Sequence, residues 1–277
     1  MQLEQIESPI VELESTNFSA AETARAQQTH WNADALDYHD RHKNYLSGFY
    51  WCPEMLNEEH ARLLGDVANQ RILEIGCGSA PCARWLAHQF ATADIFAFDI
   101  SVNMLRAAPD VEKRNQPTNL HLIQADATLL PFADTSFDQV FSVFGAIPFI
   151  ANLASLFTAV ARCLRPGGRF IYATNHPMRW VFLDDPGEAG LLAAVSYFED
   201  NYHEMDSESG ELTYIEYHHS FGDHVRALTA AGFQLVDVLE PKWPDDLTEI
   251  WGQWSPLRGK IFPGTAIFLA ELLPNRR

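Results

Sequence analysis

Two hydrophobic periods alternate along the chain between Arg71 and Asn175. Five short apolar runs read as buried strands: RILEIG from Arg71, DIFAFD from Asp94, NLHLIQAD from Asn119, SFDQVFSVFG from Ser136 and RFIYATN from Arg169. Helical spacing fills the gaps between them. Pro81 suits the first position of a helix that carries Cys82, Trp85, Leu86 and Phe90 at i, i+3, i+4 and i+8. A second helix is expected from Ser101 through Met104 and Leu105. A third places Leu153, Leu156, Phe157, Val160 and Leu164 on one face and should stop at RPGG, where Pro166 cannot continue it and Gly167 or Gly168 can turn left-handed. Strands alternating with helices of this length predict an α/β fold with a doubly wound, parallel sheet. Ligands in such sheets sit beyond the carboxyl ends of the strands. Those ends are Gly76–Ser79, Asp99, Asp126, Phe144–Ala146 and Asn175–His176.

Outside this 66–175 core the rhythm changes. Residues 1–16 are acidic and weakly patterned, with Glu4, Glu7, Glu12 and Glu14, and a flexible arm is expected there. Residues 17–65 read as an aromatic-rich helical cap, with Pro53 opening a helix toward Leu64. From 176 to 220 the chain reads as an insertion with a hairpin, VSYFED and LTYIEYH, around the turn-forming DSESGE. Residues 221–277 supply a helix with Phe221, Val225 and Leu228 facing inward, then two strands, GFQLVDVLE and TAIFLAELL. The loop between those strands carries Trp243, Trp251 and Trp254, which either line a pocket or pack on the sheet edge.

Composition narrows the partners. The 277 residues carry a formal charge of −18, which argues against nucleic acid and against an anionic membrane surface. No basic segment precedes an apolar one at the N-terminus, and no apolar run reaches membrane-spanning length, so a cytoplasmic protein is expected. The four cysteines, Cys52, Cys77, Cys82 and Cys163, form no C-x-x-C pair and read as buried thiols, with no metal site. Oligomeric state is not written in the sequence.

The chemistry gathers around GCGSAP. Gly76 and Gly78 fit a turn that lets a ligand approach the backbone at a helix N-terminus. The third glycine of a dinucleotide G-x-G-x-x-G falls at Pro81, and Glu74 would sit poorly beside phosphate. A cofactor with a cationic amine suits the loop better. Asp99 can accept from both hydroxyls of a ribose, while Ser101 is better placed to cap the following helix. Asp126 can accept from an exocyclic amine while the N–H of Ala127 donates to a ring nitrogen; a turn-forming Asp126 is the alternative.

Together, LEIGCGSA, FAFDIS with the following NML, QADATLLPFADTSFDQVFS and LRPGGRFIYA resemble the class I, Rossmann-like S-adenosylmethionine-dependent methyltransferases. The resemblance covers about Arg71 to Asn175, with Ala80 where the family often has a third glycine. It implies a seven-stranded, mostly parallel sheet whose last strand is antiparallel and lies between strands five and six. It also implies S-adenosylmethionine as cofactor: Glu74, Gly76, Cys77 and Gly78 at its methionine end, Asp99 on the ribose, Ile100 and Met104 beside the adenine, Asp126 and Ala127 at the adenine edge, and Phe144 facing the sulfonium. Tyr38 is a candidate lid residue, although Trp31, Tyr38 and Tyr45, seven apart, would equally form a packing face.

The expected activity is methyl transfer to a small molecule. A non-catalytic protein binding S-adenosylmethionine or S-adenosylhomocysteine would keep the same motifs, and an NAD-dependent oxidoreductase would share the fold. His176, just past the fifth strand, is a candidate general base, with His218 and His219 behind it. Between Arg179 and Arg226 there are eleven acids and no Lys or Arg. If this insertion roofs the pocket it would repel anions, which points to a neutral or cationic acceptor with Trp180, Tyr197 and Tyr217 as apolar walls.

Overall fold

The computed structural model describes residues 17–109, 113–252 and 254–274. The arm expected at 1–16 lies outside them. Among the described residues, α1 (Ala20–Arg41) and the short α2 (Glu58–Ala61) precede β1 (Arg71–Ile75), α3 (Pro81–Gln89), β2 (Asp94–Asp99), α4 (Val102–Arg106) and β3 (Leu120–Gln124). Then come β4 (Phe137–Val143), α5 (Leu153–Cys163) and β5 (Leu164–Asn175). The hairpin β6 (Asn201–Met205) and β7 (Leu212–Tyr217) leads to α6 (Phe221–Ala230), β8 (Phe233–Leu239), α7 (Pro256–Gly259) and β9 (Thr265–Leu272).

Seven strands form one sheet in the order β3-β2-β1-β4-β5-β9-β8. β1 to β5 pair in parallel, whereas β9 runs antiparallel to both β5 and β8 and lies between them. Crossover helices cover both faces, which is why the strands are apolar on both sides. On one face Leu156, Phe157 and Val160 of α5, with Ala227 and Leu228 of α6, pack over Phe170, Tyr172 and Phe268. On the other, Leu86 of α3 joins Phe49 and Trp51 against Ile72, Phe141 and Ile171. The Phe49 ring stacks on Phe141 at 5.3 Å and is fully buried, worth about 2–3 kcal/mol in transfer from water. The segment around Phe49–Leu64 is thus part of the core, and the sheet edge is covered by α1 together with Tyr45 and Leu46 just after it.

Four local expectations differ from the structure. Pro53 opens no helix: Trp51 N–H donates to Leu56 O and Glu58 N–H to Phe49 O, closing a tight turn, and the helix that follows is only Glu58–Ala61, capped by Asn57. α5 ends at Cys163, three residues before Pro166, and Gly167 takes its left-handed φ of +78° inside β5. The first hairpin strand is 201–205 rather than 195–200. Asp206 accepts from the N–H groups of Glu208 and Ser209, so pairing starts at the turn, while Ser196 folds its own segment by accepting from Phe198 N–H. Val225 is 41% exposed; His224, Ala227 and Leu228 form the inner face of α6.

Candidate functional site

A cavity of about 680 Å³ opens at the carboxyl edge of the sheet, between the ends of β1, β2, β3 and β4 and the overlying α1. Its floor is the loop after β1. Gly76, Gly78 and Ala80 have φ of +66°, +57° and +61°, a conformation that favours glycine. Four bonds fix this loop: Cys77 N–H to Phe98 O at 2.9 Å, Gly78 N–H to Asp99 Oδ2 at 2.8 Å, Ala80 N–H to Cys77 O at 2.8 Å and Arg84 Nε to Ser79 O at 3.1 Å. A Cβ on Gly145, in the loop after β4, would fall 1.8 Å from the Gly76 carbonyl oxygen, so the two loops touch backbone to backbone.

Glu74 and Asp99 lie in this floor, both buried. Ala80 offers no side-chain cap to α3; Glu74 Oε2 reaches over from β1 and accepts the Ala83 N–H at 3.0 Å. Burial pushes its carboxyl up to about 8, opposed by that bond and reinforced by the nearby Asp99 charge. Asp99 Oδ1 accepts from Ser101 N–H and Oδ2 from Gly78 N–H, each at 2.8 Å; burial nonetheless pushes it up to about 6. Ser101 caps α4 by accepting from Met104 N–H. Asp126 accepts from Thr128 N–H at 2.8 Å and caps a 3-10 turn, so the turn role is real, and its side chain also lines the cavity.

All eleven residues assigned to a cofactor from the sequence line this one cavity. Glu74, Gly76, Cys77 and Gly78 come from the first loop, and Asp99, Ile100 and Met104 from the second. Asp126, Ala127 and Phe144 come from the ends of β3 and β4, and Tyr38 from α1. Phe144 holds a left-handed φ of +55° and donates its N–H to Ala173 O. The Tyr38 phenol is pushed up by burial. Trp31 and Tyr45 line the cavity too, and Trp31 meets Tyr38 edge to face at 5.7 Å, so the aromatics seven apart are at once a packing face and a wall.

The residues assigned to the acceptor from the sequence are elsewhere. None of His176, Trp180, Tyr197 and Tyr217 lines the cavity, nor does any residue of the acidic insertion. His176, directly after β5, is buried, bonded through Nε2 to Glu240 at 2.8 Å and accepting Met178 N–H on Nδ1. Trp180 stacks on His218 at 5.0 Å, with Tyr197 edge-on to the same imidazole at 4.8 Å. His219 bonds to Ile150 O at 2.8 Å. Tyr217 OH pairs with Thr23 Oγ1 at 2.8 Å, on the side of α1 reached by β7. The insertion therefore props α1 and does not roof the cavity.

Sequence reasoning missed the other wall: Ala20, Ala24 and Gln27 on α1, facing a cavity shared with Phe149, Ile150 and Leu156. The signal was present in the spacing Ala20, Ala24, Gln27, Trp31, but small residues carry no hydrophobic weight. The described residues of the tryptophan loop do not line the cavity. Trp251 stacks on His42 at 3.9 Å and touches Tyr38 and Tyr45, and Trp254 meets Phe144 at 5.7 Å, so they back the wall without lining it. All four cysteines are free and buried.

Comparison with known proteins agrees with this geometry. Residues 72–168 match the family described as a methyltransferase domain. A fatty-acid O-methyltransferase of Mycolicibacterium smegmatis is 36% identical over 115 residues, 40% of this chain and 39% of that protein. A demethylmenaquinone methyltransferase of Tropheryma whipplei is 31% identical over 150 residues, 54% of this chain and 58% of that one. The chain thus spans about half the length of these curated relatives. A structure described as a putative S-adenosylmethionine-dependent methyltransferase from Listeria monocytogenes shares the fold with a TM-score of 0.62, at 22% identity, over 78% of this chain and 95% of that one. Residues 72–168 are thus similar to a methyltransferase domain, and the fold around them is shared with a structure described as an S-adenosylmethionine-dependent methyltransferase.

Proposed function

We propose that the chain binds S-adenosylmethionine in this cavity and transfers its methyl group to a small, neutral or cationic molecule. The observation that carries the reading is electrostatic. Glu74, Asp99 and Asp126 line the cavity, and among the described residues no Lys, Arg or His does. Two buried carboxyls with raised proton affinity and no neighbouring cation fit a ligand that brings an ammonium and ribose hydroxyls of its own. Asp99, held by two backbone N–H groups, would accept from the ribose. Glu74 would face the ammonium, Asp126 and Ala127 the adenine, and Phe144 the sulfonium region. The Gly76–Gly145 contact supports the fit, since side chains there would fill the floor.

When bound, S-adenosylmethionine supplies a methyl group already activated on a sulfonium. The protein's task is then alignment in a dry site. α1 covers the cavity, and Trp31 and Tyr38 exclude water from its rim. With no histidine in the lining, an acceptor that arrives deprotonated or with a free lone pair suits the site better than one needing a strong base. The names of relatives acting on a fatty acid and on demethylmenaquinone support a small-molecule acceptor. The acidic insertion no longer supports the charge preference, because it lies behind α1; the lining itself does.

Calorimetric titration with S-adenosylmethionine, S-adenosylhomocysteine and NAD tests the reading. Micromolar binding of the two sulfur ligands and none of NAD is expected. Asp99→Ala should weaken both by about a hundredfold or more, since each hydrogen bond to a charged group is worth about 1.5–3 kcal/mol. Preference for NAD would overturn the reading.

A further inference from the structure

The α1 wall of the cavity has its own chemistry. Ala20, Ala24, Gln27 and Trp31 recur on one face of α1, and the cavity continues between them and Phe149, Ile150 and Leu156. Small side chains at the N-terminal end of the helix leave room that Trp31 and Tyr38 close further along. Leu129 also lines the cavity and is 76% exposed. The N-terminus of α5, whose Asn152 and Ser155 reach the lining, has its Ser155 N–H taken by Asn152 Oδ1 at 3.0 Å.

One polar group in this wall is unsatisfied. Gln27 is 4% exposed, and its Nε2 donates to the backbone carbonyl of Ile215 in β7. A carbonyl can only accept, so the amide orientation is fixed, and Oε1 is a buried acceptor with no partner. A buried acceptor left unpaired costs about 1–3 kcal/mol, a cost that a ligand able to donate would remove.

We infer that the acceptor is an uncharged molecule with an apolar body lying along the Ala20–Ala24 face of α1 and a hydrogen-bond donor, a hydroxyl or N–H, directed to Gln27 Oε1. The inference rests on the methyl-transfer reading only in calling this molecule the acceptor. An aliphatic carboxylate is disfavoured here, because nothing cationic in the lining compensates its charge and Gln27 Oε1 would face a second acceptor.

The test uses 1-octanol, octanoate and heptyl methyl ether as probes, titrated into the full chain saturated with S-adenosylhomocysteine. Octanol should bind at least about tenfold more tightly than octanoate, and more tightly than the ether, which cannot donate. Ala24→Trp should abolish octanol binding while S-adenosylhomocysteine still binds, which shows that the variant is folded. Gln27→Leu should remove the preference for octanol over the ether. Octanoate binding as tightly as octanol, no octanol binding, or an Ala24→Trp variant that binds octanol normally would each overturn the inference. Octanol binding by a chain that does not bind S-adenosylhomocysteine would overturn the methyltransferase reading and leave this one standing.

Discussion

Trp31 on α1 and Phe149 in the turn after β4 meet edge to face, their ring centroids 5.6 Å apart. Both line the cavity, and the pair ties the covering helix to the sheet edge. An aromatic pair of this geometry is worth about 1 kcal/mol beyond its burial. Trp31→Ala is expected to lower Tm by about 2–4 °C and to speed amide exchange along α1 more than in β1 or β4. Uniform exchange in the variant would show that α1 is held elsewhere.

Gly145 has no room for a side chain. Its Cβ would overlap the Gly76 carbonyl oxygen, and backbone cannot step aside as a flexible side chain can. Gly145→Ala should cost about 3 kcal/mol or more in denaturant unfolding, or force the first loop open and abolish S-adenosylhomocysteine binding. Gly167→Ala makes a control: its Cβ would meet nothing within 4 Å, leaving only the strain of its left-handed φ.

Glu74 makes stability and binding respond oppositely to pH. Its carboxyl is raised from 4.5 to about 8 in the folded protein, so folding favours the protonated form. That contribution is complete below the unfolded value and is lost as pH climbs through about 8; Asp99, raised to about 6, adds to it in the lower part of the window. Glu74→Gln keeps an acceptor for Ala83 N–H but cannot ionise. Its Tm should gain on the parent steadily from about pH 5 to about pH 8.5. S-adenosylhomocysteine, whose ammonium favours the ionised carboxylate, should instead bind the parent more tightly over the same window and release protons on binding.

His176 is held by its neighbours away from the main cavity. It is 4% exposed, bonded on both ring nitrogens and absent from the cavity lining. His176→Ala should lower stability by about 1–3 kcal/mol while leaving the Kd for S-adenosylhomocysteine within about twofold. A large loss of binding at unchanged stability would return it to the site.

The parallel sheet and its ligand edge were legible because the core strands are short runs rich in apolar residues and the helices α3 and α5 between them each carry an apolar stripe. Asp99 and the glycine loop were legible because their chemistry is local: a strand end, a turn, a helix start. The acceptor side was not. His176 and the acidic insertion follow β5 in sequence, and nothing local says that β9 and Glu240 bury the first while β7 carries the second behind α1. Gln27 was invisible because its importance lies in a bond to Ile215, 188 positions away. Pro53 misled for the converse reason: its fixed φ serves a turn as well as a helix start.

The hairpin β6–β7 meets α1 along a seam that includes Thr23 with Tyr217 and Gln27 with Ile215. Gln27 thereby belongs at once to the cavity wall and to the seam that seats the helix. Changes on the hairpin reach the cavity through that seam and through Tyr214 of β7, whose ring meets the cavity-lining Phe149 at 6.1 Å. A substitution on β7 would shift the seat of the helix and the shape of the wall together.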